Sequence, residues 1–163
     1  MLDSKTNKVF FSAQLTQTYR KCKKPIIDAL KKNGIEIGSD IRQTKDIWAR
    51  DYMPIQVGDN KFMRFRYNPD YLVKVQGMSE FITDKPECNF LRDKDVIDCD
   101  VILDGGNVVV CGNKIILTEK VFKENGDLTK YEITKRIESA SEKQVVWIPC
   151  DPNEIKECEK RNE

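Results

Sequence analysis

Gly112-Asn113 sits between two β-branched runs, Val108–Cys111 and Lys114–Thr118, and this stretch constrains the fold more than any other. A two-residue Gly-Asn link between such runs is a strong hairpin signal. The chain then turns at Asn125-Gly126-Asp127 and reaches Thr129, three residues before Glu132. That spacing is a capping box: the Thr129 hydroxyl accepts from the amide of Glu132, whose carboxylate reaches back to the amide of Thr129. Leu128 and Ile133 fall at the staple positions around the cap, and Ile133, Ile137 and Ala140 recur at helical spacing as the face to be buried. Residues 145–148 read as the next strand. Hairpin, helix and strand make a ββαβ unit, which is not the βαβαβ rhythm of a doubly wound sheet.

The first half of the chain fits the same plan. Residues 9–12 read as a strand, and Tyr19, Cys22, Ile26, Ile27 and Leu30 share one helical face. Pro25 either kinks that helix or places its start near Lys24. Asn33-Gly34 is a C-terminal stop, since Gly accepts the left-handed cap conformation, and residues 35–37 form a second strand. Residues 53–57 and 62–67 flank Gly58-Asp59-Asn60 as another hairpin. In its second strand Met63, Phe65 and Tyr67 point one way and Arg64 and Arg66 the other. Asn68-Pro69-Asp70 ends that strand. From 72 to 98 the pattern is weak, which predicts irregular structure with a short helix at 79–83, and order returns at Val101. The start of the chain then reads as the tail of a further unit, giving an α/β architecture of cyclic ββαβ repeats.

Composition removes several functions. The 163 residues fit one domain with a real core. Lys and Arg number 28 against 27 Asp and Glu, a formal charge of +1. That balance predicts neither nucleic acid nor anionic membrane as partner. No apolar run approaches the ~20 residues of a membrane span, and the start lacks the basic and apolar regions of a secretory signal, so a cytoplasmic location is expected. Cys22, Cys88, Cys99, Cys111, Cys150 and Cys158 include no CxxC spacing and are expected to be reduced, partly buried thiols. There is no histidine. The commonest general base and the commonest metal ligand are thus both missing, and the cysteine spacing supplies no zinc site.

Two short segments carry candidate chemistry. The first is Trp48-Ala49-Arg50-Asp51, just before a strand. A lone Asp there is explained by a surface ion pair worth about 0–1 kcal/mol. Beside an indole, however, it is also a receptor for a guanidinium or ammonium group. The carboxylate accepts charge-assisted hydrogen bonds, and the ring offers a flat face to the cation or its alkyl stem. The second is Leu103-Asp104-Gly105-Gly106-Asn107. Asp-Gly and Gly-Gly are turn dipeptides, and paired glycines also admit close approach. No GxGxxG or GxxxxGK spacing is present, so phosphate binding is not indicated.

Together, "DIWARDYMP" and the later "VILDGGNVVV" resemble the guanidino-group-modifying superfamily, and within it the agmatine deiminase family, which includes the bacterial-type peptidylarginine deiminases. Family members carry W-x-R-D and [DE]-G-G-[NS] in this order next to apolar strands. The resemblance implies a partial pentein fold, a β/α propeller of ββαβ units with the active site on its axis. It implies a hydrolase in which a Cys thiolate attacks the guanidinium carbon, ammonia leaves, and water releases a ureido product with help from a His. Matched residue by residue, Asp51 takes the place of a guanidinium-gripping carboxylate, Trp48 that of the wall along the substrate's stem, and Asp104 that of the acid orienting the catalytic His. No cofactor or metal is implied. The partner implied is a small cationic guanidino substrate.

The sequence departs from that pattern in the rest of the machinery. No Gly-His-x-Asp stretch follows residues 145–148, and none of the six cysteines matches the nucleophile by context. Residues 1–163 are therefore expected to be the N-terminal part of a single pentein deiminase domain with its C-terminal part absent, inactive alone and prone to self-association through unfinished ring edges. No arginine follows Tyr67-Asn68 to hold a substrate carboxylate, which favours agmatine or a related alkylguanidine over a peptidyl arginine; Asp70 would suit a second cation. A non-catalytic pentein scaffold is the rival reading.

Overall fold

The computed structural model describes residues 6–151. Its opening strand β1 (Lys8–Val9) pairs in parallel with β2 (Glu36–Ile37), and the connection carries helices α1 (Ala13–Thr18) and α2 (Arg20–Lys32). This is the expected tail of a unit. Two sheets of identical topology follow. A four-residue helix α3 (Ala49–Tyr52) leads into the antiparallel pair β3 (Ile55–Gly58) and β4 (Lys61–Arg66), and β5 (Asp95–Ile102) adds in parallel to β4. The second sheet pairs β6 (Val108–Cys111) with β7 (Lys114–Thr118) antiparallel, then adds β8 (Gln144–Ile148) parallel to β7. Between β4 and β5 runs a short helix α4 (Asp70–Val73) with two 3-10 turns; between β7 and β8 run α5 (Lys120–Glu124) and α6 (Lys130–Ser141). The architecture is two ββαβ units behind a βαβ tail.

Local signals account for the second unit. Gly112 takes φ +57° in the hairpin turn, a conformation that costs glycine nothing. Both halves of the capping box form: the Glu132 amide donates to Thr129 Oγ1 at 3.2 Å, and the Thr129 amide donates to Glu132 Oε2 at 2.8 Å. Ile133, Ile137 and Ala140 pack into the core with Ile115, Leu117 and Val121. In the first unit Met63, Phe65 and Tyr67 join the same core while Arg64 and Arg66 stay outside, as the alternation predicts.

Three expectations need correction. β5 begins at Asp95, inside the segment expected to be irregular. Its outward Asp98 and Asp100 obscure the strand pattern, and they are answered across the sheet by Arg64 (2.7 Å) and Arg66 (3.3 Å), with Arg136 of α6 also on Asp100 at 3.2 Å. The short helix at 79–83 is a single 3-10 turn, Ser79–Phe81. The helical face read from Tyr19 to Leu30 lies on α2, which Tyr19 caps, with α1 as a separate helix before it, and Pro25 lies within α2 rather than in its first turn. The apolar face of α2 is not buried, with Tyr19 47% and Ile26 42% exposed. The stop at Asn33-Gly34 holds, Gly34 adopting φ +71°. Of the six cysteines, Cys158 lies outside the described residues; the other five are free thiols, with Cys99 buried.

Candidate active site

Asp51 lies in the single turn of α3, and Asp104 precedes the 3-10 turn Gly105–Asn107, so each sits where a connection meets a sheet. The two segments meet in the fold. The Gly106 amide donates to Asp51 Oδ1 at 3.0 Å, and Arg50 crosses the same seam to donate from Nη2 to the Val108 carbonyl at 2.7 Å. The glycine pair is required by this approach. A Cβ on Gly105 would lie 2.0 Å from the Arg50 carbonyl oxygen, and one on Gly106 would lie 2.5 Å from Asp51 Oδ1. Trp48 precedes them with its indole 65% exposed. The structure thus joins Asp51 to the Asp104 turn and leaves Trp48 standing at the surface beside α3.

Asp104 is 8% exposed and is held from the far side by a lysine that sequence reasoning missed. Lys120, the first residue of α5, donates from Nζ to Asp104 Oδ2 at 2.5 Å. The same ammonium is 3.0 Å from Glu124 Oε1 and 4.0 Å from Asp70 Oδ1, and it lies 5.6 Å from the centre of the Tyr71 ring. The Glu124 side chain is only 3% exposed, and neither of its oxygens has a well-directed hydrogen bond among the described residues; Asp104 Oδ1 is likewise buried without one. Lys74 occupies Asp70 from its other side at 2.9 Å. The place where a second cation was expected is therefore filled by the chain's own lysines.

Asn125 fixes the distance between these parts. From the end of α5 its amide donates to the carbonyls of Ile102 and Val121, and its Oδ1 accepts from the Ile102 amide, each at 2.8 Å. Both backbone groups of Ile102 are thereby pinned to α5 two residues ahead of Asp104. Lys120 and Glu124 lie one helical turn apart after β7, but that spacing alone does not mark them in the sequence as part of this cluster.

The electrostatics are those of a carboxylate cluster built on one ammonium. Burial, and then the charge of Asp104, push the Asp51 carboxyl above its ordinary value; the Gly106 amide, Lys120 and Arg50 oppose this without cancelling it. Burial likewise raises Glu124. Burial alone would lower Lys120, but its hydrogen bond to the Asp104 carboxylate and the charge of Glu124 hold it protonated well above the usual lysine value. Such a lysine is no general base at neutral pH. Burial pushes the Cys99 thiol up to about 11, so it is no ready nucleophile. Among the described residues no group of three or more His, Cys, Asp or Glu side chains is arranged to hold a metal, and no helix is long and apolar enough to cross a membrane. A groove of about 1090 Å³ lies on the β4–β5 side, lined in part by Arg64, Arg66, Asp98 and Cys99. None of Trp48, Asp51, Asp104 or Lys120 lines it, so it is separate from the carboxylate cluster.

Two ββαβ units that bring a carboxylate from each to one seam define a partial pentein, the propeller fold of guanidino-group-modifying enzymes. Residues 5–156 match the Porphyromonas-type peptidyl-arginine deiminases, and the chain belongs to that family. No curated protein sequence matches it. Among solved structures it is similar to a candidate peptidyl-arginine deiminase (TM-score 0.56, 16% identity, covering 89% of this chain and 54% of that one). It is also similar to C. jejuni agmatine deiminase (0.53, 16%, 88% and 53%) and to DDAH from Pseudomonas aeruginosa (0.54, 12%, 90% and 62%). At these identities the likeness establishes the fold. The chain spans a little over half the length of these structures.

Proposed function

We propose that this chain supplies the guanidinium-gripping side of a deiminase site, with Asp51 as the grip, Trp48 as the wall along the substrate's stem and Asp104 as the carboxylate that would orient an imidazole. The observation that carries the reading is the Gly106–Asp51 hydrogen bond, which turns two distant motifs into one anionic surface. One Asp51 oxygen is committed to the Gly106 amide, so the carboxylate is held in a fixed orientation, and a guanidinium can donate to the other. The full reaction then runs through thiolate attack on the guanidinium carbon, loss of ammonia, and hydrolysis of the thiouronium to a ureido product and free thiol. It requires a thiol beside the guanidinium carbon and an imidazole, and these 163 residues hold no histidine. The substrate is agmatine or a related alkylguanidine. Arg64 and Arg66 support the choice of a carboxylate-free tail, because Asp98 and Asp100 already engage them.

The pairing of Asp104 with Lys120 favours a second reading, a non-catalytic pentein scaffold, because the acid that would orient an imidazole already has a cation. Titrating the chain with methylguanidine, agmatine and a C-terminal arginyl peptide, followed by amide and carboxyl NMR shifts, separates the two. One charge-assisted contact contributes about 1.5–3 kcal/mol, so binding in the millimolar range or weaker is expected. Shifts centred on Asp51 and Gly106 that vanish in Asp51→Asn support the grip; equal shifts in both proteins leave the scaffold reading.

A further inference from the structure

We propose that Asp70, Asp104, Glu124 and the face of Tyr71 form an ammonium cage whose resident cation is Lys120, so that the site carries its own tethered amine and turns away a second cationic group. The cage is built as an ammonium receptor. Three carboxylates from three different segments converge on Nζ at 2.5, 3.0 and 4.0 Å, and the Tyr71 ring closes a further side with its centre 5.6 Å away. Carboxylates and an aromatic face are the two partners that recognise an alkylammonium.

A surface ion pair would look different. The Glu124 side chain is almost wholly buried, and among the described residues the Lys120 ammonium is the cation within ion-pair distance of it. A carboxylate buried at that depth without a cation is strongly unfavourable. Asp104 Oδ1 is buried and has no hydrogen-bond donor among the described residues. The ammonium itself stays protonated, since Asp104 and Glu124 outweigh the cost of its burial. The short helix α5 supplies both the cation and one wall, at positions one turn apart.

One consequence rests on the reading of Asp51 as a guanidinium grip. An alkylguanidine held there meets a filled cage, so the free amine of agmatine adds nothing to binding. Agmatine and the neutral-tailed butylguanidine are then expected to bind within about threefold of each other, where an open cage would favour agmatine tenfold or more.

The cage itself is tested without that reading. Lys120→Ala leaves an anionic cavity sized for a short amine. Its Tm is expected to fall by about 5–10 °C, and ethylammonium chloride is expected to restore a large part of the loss in a saturable way that matched sodium chloride does not. The wild-type chain should show no such difference between the two salts. Equal effects of ethylammonium and sodium on Lys120→Ala would overturn the cage. If that variant folds poorly, refolding yield in the two salts replaces Tm. In the wild type, a caged ammonium exchanges its protons slowly and gives a lysine ammonium cross-peak in ¹H–¹⁵N spectra near pH 7; its absence would overturn the proposal equally. A failure of Asp51→Asn to change guanidine binding would remove the specificity consequence and leave the cage standing.

Discussion

The Gly106 amide donates to Asp51 Oδ1 at 3.0 Å, and this one bond ties the Trp-x-Arg-Asp segment to the Asp-Gly-Gly-Asn segment. Gly105 lies under the Arg50 carbonyl next to it, so the seam is backbone against backbone. The carboxylate of Asp51 is consequently oriented by main-chain groups rather than by a flexible partner. Its position depends on two residues with no side chain.

That dependence predicts unequal costs for two alanine substitutions. In Gly105→Ala the new Cβ would meet the Arg50 carbonyl oxygen at 2.0 Å, and only a shift of α3 or of the turn can relieve it. Gly106→Ala meets a side-chain oxygen at 2.5 Å, and Asp51 can swing away. Overpacking typically costs about 1–3 kcal/mol. Urea unfolding should place Gly105→Ala at or above the top of that range and Gly106→Ala nearer the bottom, the latter losing the Asp51-centred guanidine shifts while staying folded. Equal costs would mean that the seam yields more easily than its geometry implies.

Asn125 offers a prediction on stability. It makes three hydrogen bonds of 2.8 Å, two as donor and one as acceptor, and is 3% exposed. At about 0.5–1.5 kcal/mol each, Asn125→Ala should cost roughly 2–4 kcal/mol in urea unfolding. Asn125→Asp should cost no less, because it keeps the acceptor for the Ile102 amide but turns a carboxylate toward the Ile102 and Val121 carbonyls. If Asp were tolerated, the donor half of the clamp would be unimportant.

Much of this architecture is legible in the chain before any coordinates. The second unit is, because its turn, capping box and staple are all local signals read over a few residues. The tail unit's helix stop is legible for the same reason. β5 is not, since aspartates at 95, 98 and 100 have poor strand preference, and the strand is held by arginines at 64, 66 and 136 that only the fold brings near. Asp51 and Asp104 stand out by their neighbours, an indole in one case and paired glycines in the other. Lys120 and Glu124 do not: at a spacing of four residues they read as one more exposed helix pair, and what distinguishes them is a burial that the sequence does not display.

Glu124 makes the pH dependence testable. Burial raises its folded-state carboxyl pKa above the unfolded value near 4.5, with the Lys120 charge opposing and the charges of Asp104 and Asp70 adding to the rise. A carboxyl raised on folding favours the native state most when protonated, so its contribution is fully present below the unfolded pKa and fades as pH climbs through the folded one. Glu124→Gln removes this titration. The Tm of the variant minus that of the wild type should therefore increase as pH rises from about 4, then level off above the folded pKa. A difference that is flat, or that falls across the series, would mean that Lys120 compensates Glu124 fully.

The chain alone should release no ammonia from agmatine, butylguanidine or arginyl peptides. A deiminase needs a thiolate beside the guanidinium carbon and a base for the hydrolytic water. No histidine is present in the sequence. Lys120 keeps its proton between Asp104 and Glu124, and the Cys99 thiol is pushed up to about 11. None of the hydrogen bonds or ion pairs of Asp51 and Asp104 among the described residues involves a cysteine. Removing nucleophile or base from a hydrolase lowers turnover by about 10⁶, so a coupled ammonia assay at high protein concentration should stay at the buffer baseline. Adding free imidazole should not change that, because it replaces the base and not the thiol. Turnover above baseline that survives Asp51→Asn would place the chemistry elsewhere in the molecule, while turnover lost in that variant would show that these residues already hold a complete site.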